Sequence, residues 1–600
     1  MFKRKRKMDP SPGHDQKPAV EQPMEQDAGT NGRARSVYLY PAAIKAIGGD
    51  KWGYINSKGK WILSPLYEHA GDFQDNELAI VRYLDLAGII DLNGYLIVKP
   101  KYETINPFSE GRATVIDHEG FKVIDESGKV ITERAYSFIG DYKGGRALIA
   151  GTATGRYLYG YLNKWGKEVL PLSYETASDF VEKKAVVKIT SGRFALIGLT
   201  GKVLHEYSYP YVGEYGDGLL VFKNRENGKF GYLDEAGNVR IQPQFTGAEA
   251  FRNGRAIVQL GNGGKTLYGL INQNGQFIFK PQYSDLQDLG EGRVALGKAI
   301  DSEKPYIGST FAVGDYDGHM LTGFIYNRIS KYENGFASAS DGQTIFFIDK
   351  NGKKVKHLPI VSGSGELRFD QSLIKGEIDY RLMYFDKKGE RVWEQNRIIE
   401  LGSGLSVQEE KYKPNKDFLV YYPRIRGLGA KETIVNQTIK DLSGIKETPP
   451  HLQLESNYFG DYELPFYKGH LLEIEITGYD YPFGAAHGMP VKKYAHLDLR
   501  SGVFYQLKDL FKPGSQYVKV ISAIIGKQII NDPEYSYVFP GSFKGIQAEQ
   551  PFFIKSDSIS IYFLPYEIAP YAAGFPTFTI PFADIDEILD KKGAFWRAFH

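Results

Sequence analysis

The sequence predicts a mostly β protein, an all-β repeat array followed by a C-terminal α+β domain, and three observations predict it. The stretch Lys51-Trp52-Gly53-Tyr54-Ile55-Asn56-Ser57-Lys58-Gly59-Lys60, followed by Trp61-Ile62-Leu63-Ser64-Pro65-Leu66-Tyr67, reads as a strand, a turn ending in Gly and a second strand stopped by Pro. This grammar returns at a fixed interval: Gly53 to Gly88 and Phe73 to Phe108 are both 35 residues. A period of that size is the signature of a stacked or circular repeat architecture. After Leu401 the period stops, and strand-like and helix-like patterns alternate instead.

The bulk composition agrees. Six hundred residues exceed what one compact core can serve, so several cores or one long stacked core are expected. With 42% hydrophobic and 24% charged residues, 67 Gly and 42 Tyr, the chain has a globular composition suited to pleated strands and tight turns. A net charge of +2 gives no electrostatic case for nucleic acid, and zero Cys excludes disulfides and thiolate metal sites. No apolar run is long enough for a transmembrane helix. The basic start, Met1 to Met8, runs into Asp9-Pro10-Ser11-Pro12 rather than an apolar signal segment, and residues 1–36 read as a disordered basic and polar tail.

Taken in order, the first unit pairs Trp52-Gly53-Tyr54-Ile55 with Trp61-Ile62-Leu63 and runs on to Leu78-Ala79-Ile80-Val81. The second carries Gly88, the turn Asn93-Gly94, Pro100 and the closing strand Gly111-Arg112-Ala113. The strand glycine returns at Gly160, Gly231 and Gly269, while units at 121–129 and 194–202 lack it. Gly59 and its counterparts supply positive φ at a hairpin turn. Gly53, Gly88, Gly160, Gly231 and Gly269 give up side-chain packing inside strands, which marks a close approach of backbone or an aromatic ring. The recurrence of Trp52, Tyr54, Tyr159, Tyr161, Phe230 and Tyr232 assigns these rings to the interior of the array rather than to ligand stacking. From about 300 the pattern decays, as terminal repeats do. Three strands per unit fall short of the four in a propeller blade, so an open superhelical stack over 37–400 is favoured, with a propeller as the alternative.

The Trp-Gly-Tyr-Ile-Asn motif with downstream Gly-Lys, Pro-x-Tyr, Phe and Gly-x-Ala resembles the bacterial WG repeat family over residues 50–300, and more faintly to 395. The resemblance implies a β-repeat scaffold that presents a surface and carries no reaction common to its members.

The second domain, expected over 413–600, has a strand candidate at Phe418–Pro423 and helical spacing at Ile434, Ile439 and Leu442. Strands follow at 458–462 and 471–476, an amphipathic helix at 515–530, further strands at 559–563 and 575–581, and a short last helix at 583–589. Its signatures are Tyr481-Pro482-Phe483-Gly484-Ala485-Ala486-His487-Gly488, Asp498-Leu499-Arg500-Ser501-Gly502, Leu507-Lys508-Asp509-Leu510-Phe511 and Pro565-Tyr566-Glu567-Ile568-Ala569-Pro570-Tyr571. Together they resemble the extracellular domain of lysozyme-sensing anti-sigma factors and a domain beside the catalytic unit of some peptidoglycan deacetylases. The resemblance implies a non-catalytic module that binds a lysozyme in the anti-sigma factors.

His487, in a Gly/Ala loop, is the most chemically capable candidate, yet no nucleophile elbow, His-x-x-x-His pair or Cys ligand accompanies it. Tyr481, Tyr566, Glu567 and Tyr571 join it as candidate partner-binding residues, because Tyr offers large contact area at low entropy cost. The expectation is therefore a protein that is not an enzyme and uses neither metal nor cofactor: a scaffold displaying a module for a protein or peptidoglycan partner, lysozyme-like among the options. A peptidoglycan-directed hydrolase or deacetylase-associated enzyme using the His487 region, and a cytoplasmic docking scaffold, are the alternatives. Absence of a leader favours the cytoplasm; the resemblance favours the cell envelope.

Overall fold

A computed structural model describes residues 38–600 apart from 191 and 263. The tail expected over 1–36 lies outside the described residues. The chain is mostly β, as expected, with an all-β array of small antiparallel sheets ahead of an α+β domain.

Ten small sheets, here called blades, follow one another from Tyr40 to Glu394. Blade 1 comprises Tyr40–Ile44, Lys51–Ile55 and Trp61–Tyr67, and blade 2 comprises His69–Ala70, Ala79–Tyr83, Leu86–Ile90 and Leu96–Tyr102. Blade 4 ends at Glu168–Tyr174, blade 5 runs from Thr176–Ala177 to Val203–Tyr207, and blade 10 from Gly365–Asp370 to Arg391–Glu394. The segment where the motif decays forms the last strand of blade 8, Ser309–Asp315, and blades 9 and 10.

The repeated residues explain why each blade forms. A Cβ on Gly53, Gly88, Gly160, Gly231 or Gly269 would stand 2.3 to 2.8 Å from a carbonyl oxygen of the next strand, beside Pro65, Pro100, Pro171, Pro243 or Pro281. The pairing register slips at those points, as between Trp52 and Tyr54. The strand glycine therefore makes room for a bulge that carries the proline. One residue later the ring of Tyr54, Tyr161 or Tyr232 is fully buried. Each hydroxyl donates to a carbonyl seventeen residues on, at Gly71 (2.9 Å), Ser178 (2.7 Å) and Glu249 (2.8 Å). Each ring also packs on Phe73, Phe180 or Phe251 at 4.7 to 4.9 Å. Burial raises all three phenols well above their ordinary value.

Neighbouring blades are joined by a common set of contacts. A small apolar core lies between each successive pair, as where Ile89 and Val98 meet Val115 and Ile124 between blades 2 and 3. Arg112, Arg146, Arg255 and Arg293 each donate to a turn carbonyl of the following blade, at Lys164, Leu199, Tyr316 and Lys350. Each turn glycine leans back on the preceding blade, Gly94 on Leu63 and Gly201 on Leu170.

The same contacts join the last blade to the first. Tyr40, Ala42 and Ile55 share an apolar core with Leu373, Leu382 and Tyr384, flanked by Trp52, Trp61 and Trp393. A Cβ on Gly59, whose φ is +74°, would stand 2.6 Å from the carbonyl oxygen of Val392. Tyr40 bonds Ser372 at 2.8 Å, and Tyr384 donates to the Pro41 carbonyl at 2.9 Å. The array is therefore a closed ring of sheets, which is the propeller alternative rather than the open stack. The strand count misled because short two-residue strands such as His69–Ala70 and Thr176–Ala177 supply the fourth strand. No individual sheet of the described residues closes into a barrel.

The C-terminal domain is built on a seven-stranded sheet ordered Ile398–Gly402, Leu405–Asn415, Phe418–Arg426, Ser456–Lys468, Leu471–Pro482, Met489–Asp498 and Phe504–Tyr505. Its one parallel pair, the third strand with the fourth, is joined through α1 (Glu432–Leu442), whose buried Val435 and Ile439 pack on one core. A second core gathers α2 (Tyr517–Asn531), a three-stranded sheet (Phe552–Ile554, Ser558–Tyr562, Thr577–Pro581) and α3 (Ala594–Phe599). The helix expected at 583–589 shrinks to a single 3-10 turn, Phe582–Ile585, and the last α-helix comes later.

The domain seats on the ring beside the junction of blades 1 and 10. Gly48 donates to the Leu464 carbonyl at 2.8 Å, and Ile47 packs into the core around α1. From blade 10, Tyr380 packs on Phe459 at 4.1 Å, and the Asp379 carbonyl accepts from Tyr421 at 2.8 Å.

Candidate functional site

Two strands of the seven-stranded sheet, Leu471–Pro482 and Met489–Asp498, end in a hairpin that carries Tyr479, Tyr481 and His487. The loop between Ser558–Tyr562 and Thr577–Pro581 carries Tyr566, Glu567 and Tyr571. Sheet pairing delivers the first set and packing of the two sheets brings the second set against it.

His487 stacks on Tyr571 with ring centroids 4.2 Å apart at 29°. Tyr566 stands 6.5 Å from His487 and 5.7 Å from Tyr571, and its hydroxyl lies 3.4 Å from His487 Nε2. His487 Nδ1 lies 3.1 Å from the Gly488 carbonyl, which also accepts from the Tyr571 hydroxyl at 2.9 Å. The Gly488 amide donates to the Tyr479 hydroxyl at 2.9 Å. That neighbouring hydroxyl is the first cause that holds the Tyr571 phenol above its ordinary range. Tyr481 and Glu567 do not join the stack. Tyr481 braces the hairpin by donating to the Ala485 carbonyl at 3.0 Å, and the Glu567 carboxylate accepts from the Leu564 amide at 2.8 Å.

The backbone of the loop is under strain at one point. Tyr566 has a φ of +68°, which a bulky residue adopts only when its surroundings enforce it, and 52% of its surface is exposed. His487 is also exposed, so these two rings of the cluster are open to solvent.

Two participants escaped the sequence reading. Tyr479 alternates with Tyr481 on the same strand, so a period-two reading could have found it. Tyr306 of the ring could not be found that way: its ring lies 3.3 Å from where a Cβ on Gly484 would stand, a contact between segments 178 residues apart.

Two clefts of about 620 and 750 Å3 lie where the ring meets the C-terminal domain, with Arg381 and Glu409 lining one, His451 and Lys413 the other, and Lys411 both. His487 lines neither. Among the described residues, Asp315, Asp317 and His319 bring possible metal-ligand atoms within 4.8 Å of one another. Their arrangement is the hairpin turn of blade 8, in which one Asp315 oxygen accepts from the Asp317 and His319 amides, as the Asp386 oxygen does from Lys388 and Glu390 in blade 10. No described helix is long and apolar enough to cross a membrane.

Similarity to known proteins falls in both parts of the chain. The chain is 28% identical over 214 residues to the anti-sigma-V factor RsiV of Bacillus subtilis (strain 168), spanning 32% of this chain and 72% of that protein. It is 26% identical over 136 residues to the peptidoglycan-N-acetylmuramic acid deacetylase PdaC of the same organism, spanning 22% of this chain and 29% of that protein. A crystal structure of a DUF3298 family protein from Pseudomonas aeruginosa PAO1 superposes with a TM-score of 0.26 at 16% identity, over 31% of this chain and 94% of that one. The stretches 52–85, 88–116, 123–149, 159–191, 230–263 and 268–296 match the WG containing repeat, and 508–583 match the protein of unknown function DUF3298. The chain thus carries WG containing repeats between residues 52 and 296 and a DUF3298 segment near its C-terminus.

Proposed function

We propose that this chain is a non-enzymatic binding protein of the cell envelope, in which the ring holds the C-terminal domain so that its aromatic cluster meets a protein or cell-wall partner. The observation that carries the reading is the meeting of His487 with Tyr566 and Tyr571, 79 and 84 residues away, in one aromatic cluster in which His487 and Tyr566 are exposed. Exposed, pre-positioned tyrosines are the residues that anchor recognition surfaces. The enforced φ of Tyr566 supports the same assignment, since strain collects in ligand-contacting loops. The oxygen neighbours of both His487 nitrogens come from Gly488 and Tyr566 rather than from a carboxylate, which favours binding over acid–base chemistry. The similarity of the C-terminal domain to an anti-sigma factor and to a peptidoglycan deacetylase points to lysozyme or a peptidoglycan fragment as the first partners to try.

Calorimetric titration of the full chain with lysozyme, and separately with soluble peptidoglycan fragments, tests the proposal. Saturable binding to one of them that weakens at least tenfold in Tyr571→Ala is expected. Binding to neither overturns the envelope reading, and turnover of the fragments overturns the non-enzymatic one.

A further inference from the structure

We propose that the C-terminal domain is the clasp of the ring, so that closure between blades 1 and 10 depends on the domain being seated. The inference rests on one buried group of charges. Arg381, on blade 10, donates to Glu409 at 3.1 and 2.8 Å and to Asp461 at 2.9 and 2.8 Å. Lys45, which follows the first strand of blade 1, places its ammonium 3.8 Å from Glu409 Oε2 and 3.7 Å from Asp461 Oδ1, and donates to the Tyr462 carbonyl at 3.2 Å. Glu409 and Asp461 both belong to the seven-stranded sheet of the C-terminal domain.

The arrangement is a balanced square with a particular parentage. Each side of the ring's junction contributes one cation, and the domain contributes both anions. The two cations lie within 3.8 Å of the same two carboxylate oxygens, so they crowd each other across the junction. The side chains of Lys45, Glu409 and Arg381 are 9%, 6% and 14% exposed, too little for water to screen that repulsion. With the domain seated but its two carboxylates neutralised, the junction would therefore hold a buried like-charge pair that opposes closure. With them, each cation is neutralised and hydrogen-bonded.

Neighbouring contacts point the same way. On the blade 10 side, Asp379 is almost wholly buried and receives Lys411 at 2.5 Å and Lys413 at 2.6 Å, both from the domain. Burial alone would raise the Asp379 carboxyl, but these two lysines outweigh it and hold the carboxyl below its usual range. On the blade 1 side, Gly48 and Ile47 are bound into the domain itself. The domain thus grips both banks of the junction.

Hydrogen–deuterium exchange on the full chain tests the clasp. In Glu409→Gln/Asp461→Asn, the amides of Tyr40–Ile44 and Leu373–Ile378 should exchange about tenfold faster, while those of blade 5 keep the wild-type rate. Adding Lys45→Met removes the repulsion and should slow the junction again. Wild-type exchange at the junction in the double variant, an equal rise in every blade, or no slowing on adding Lys45→Met overturns the proposal. Should the double variant not fold, Asp461→Asn alone carries the same comparison with a smaller rise confined to the junction, and an unchanged junction there overturns it equally.

Discussion

A methyl group added at Gly160 would meet the Leu170 carbonyl oxygen at 2.4 Å, whereas one added at Gly198, the last residue of the strand Arg193–Gly198, would find nothing nearer than 4.0 Å. Gly160→Ala is therefore expected to lower stability by about 1–3 kcal/mol, as forced overpacking does. Gly198→Ala should leave the urea midpoint unchanged, and equal midpoints for the two variants would contradict the bulge. The phenols of Tyr54, Tyr161 and Tyr232 give a second expectation at this scale. Their folded pKa values are raised above the ordinary 10.0, so the stability they contribute is fully present below pH 10. It is lost as pH climbs from there towards the folded values, because only the unfolded chain can ionise them. Thermal midpoints should hold steady up to about pH 10 and fall above it, with a share of the phenolate absorbance gained only on unfolding. The sequence displayed the glycine and its proline as a recurring pair. It could not say whether backbone or a ring came close, because a bulge is a property of two strands together.

At the scale of elements, turns and long strands were legible because Asn or Asp with Gly has a local mechanism and strand alternation extends over several residues. Two-residue strands such as His69–Ala70 have no period to read, and their omission tilted the strand count towards an open stack. The partner-facing loops were legible in composition but not in contact. Tyr481 and Glu567 share a neighbourhood in sequence with His487 and Tyr571, yet they brace their own loops instead of joining the stack. Loop-to-loop packing between distant segments leaves no local trace. The loop's strain makes a prediction of its own. Tyr566→Gly relieves a left-handed backbone and should raise stability by about 1 kcal/mol, while weakening whichever of lysozyme or peptidoglycan fragments the wild type binds. Melting and calorimetry on the same preparation check it; loss of stability would show that the ring of Tyr566 matters more to packing than to recognition.

The whole molecule is organised by the meeting of its first and tenth blades, and no feature of the sequence near Tyr40 or Tyr384 distinguishes them as neighbours. Closure also sets how such a chain can be inherited. An open stack can lose or duplicate one unit and keep every remaining interface, because each unit touches only the next. In a closed ring, the rotation from blade to blade must sum to one full circle, so the copy number and the angle at every interface are fixed together. Excising residues 176–207 with a repaired join should accordingly shift exchange and melting throughout the ring and most sharply at Tyr40–Ile44, rather than only beside the cut. A change confined to blades 4 and 6 would mean that the interfaces have slack. The sequence of any single unit is thus free to drift, as the units without a strand glycine already show, but the number of units is not.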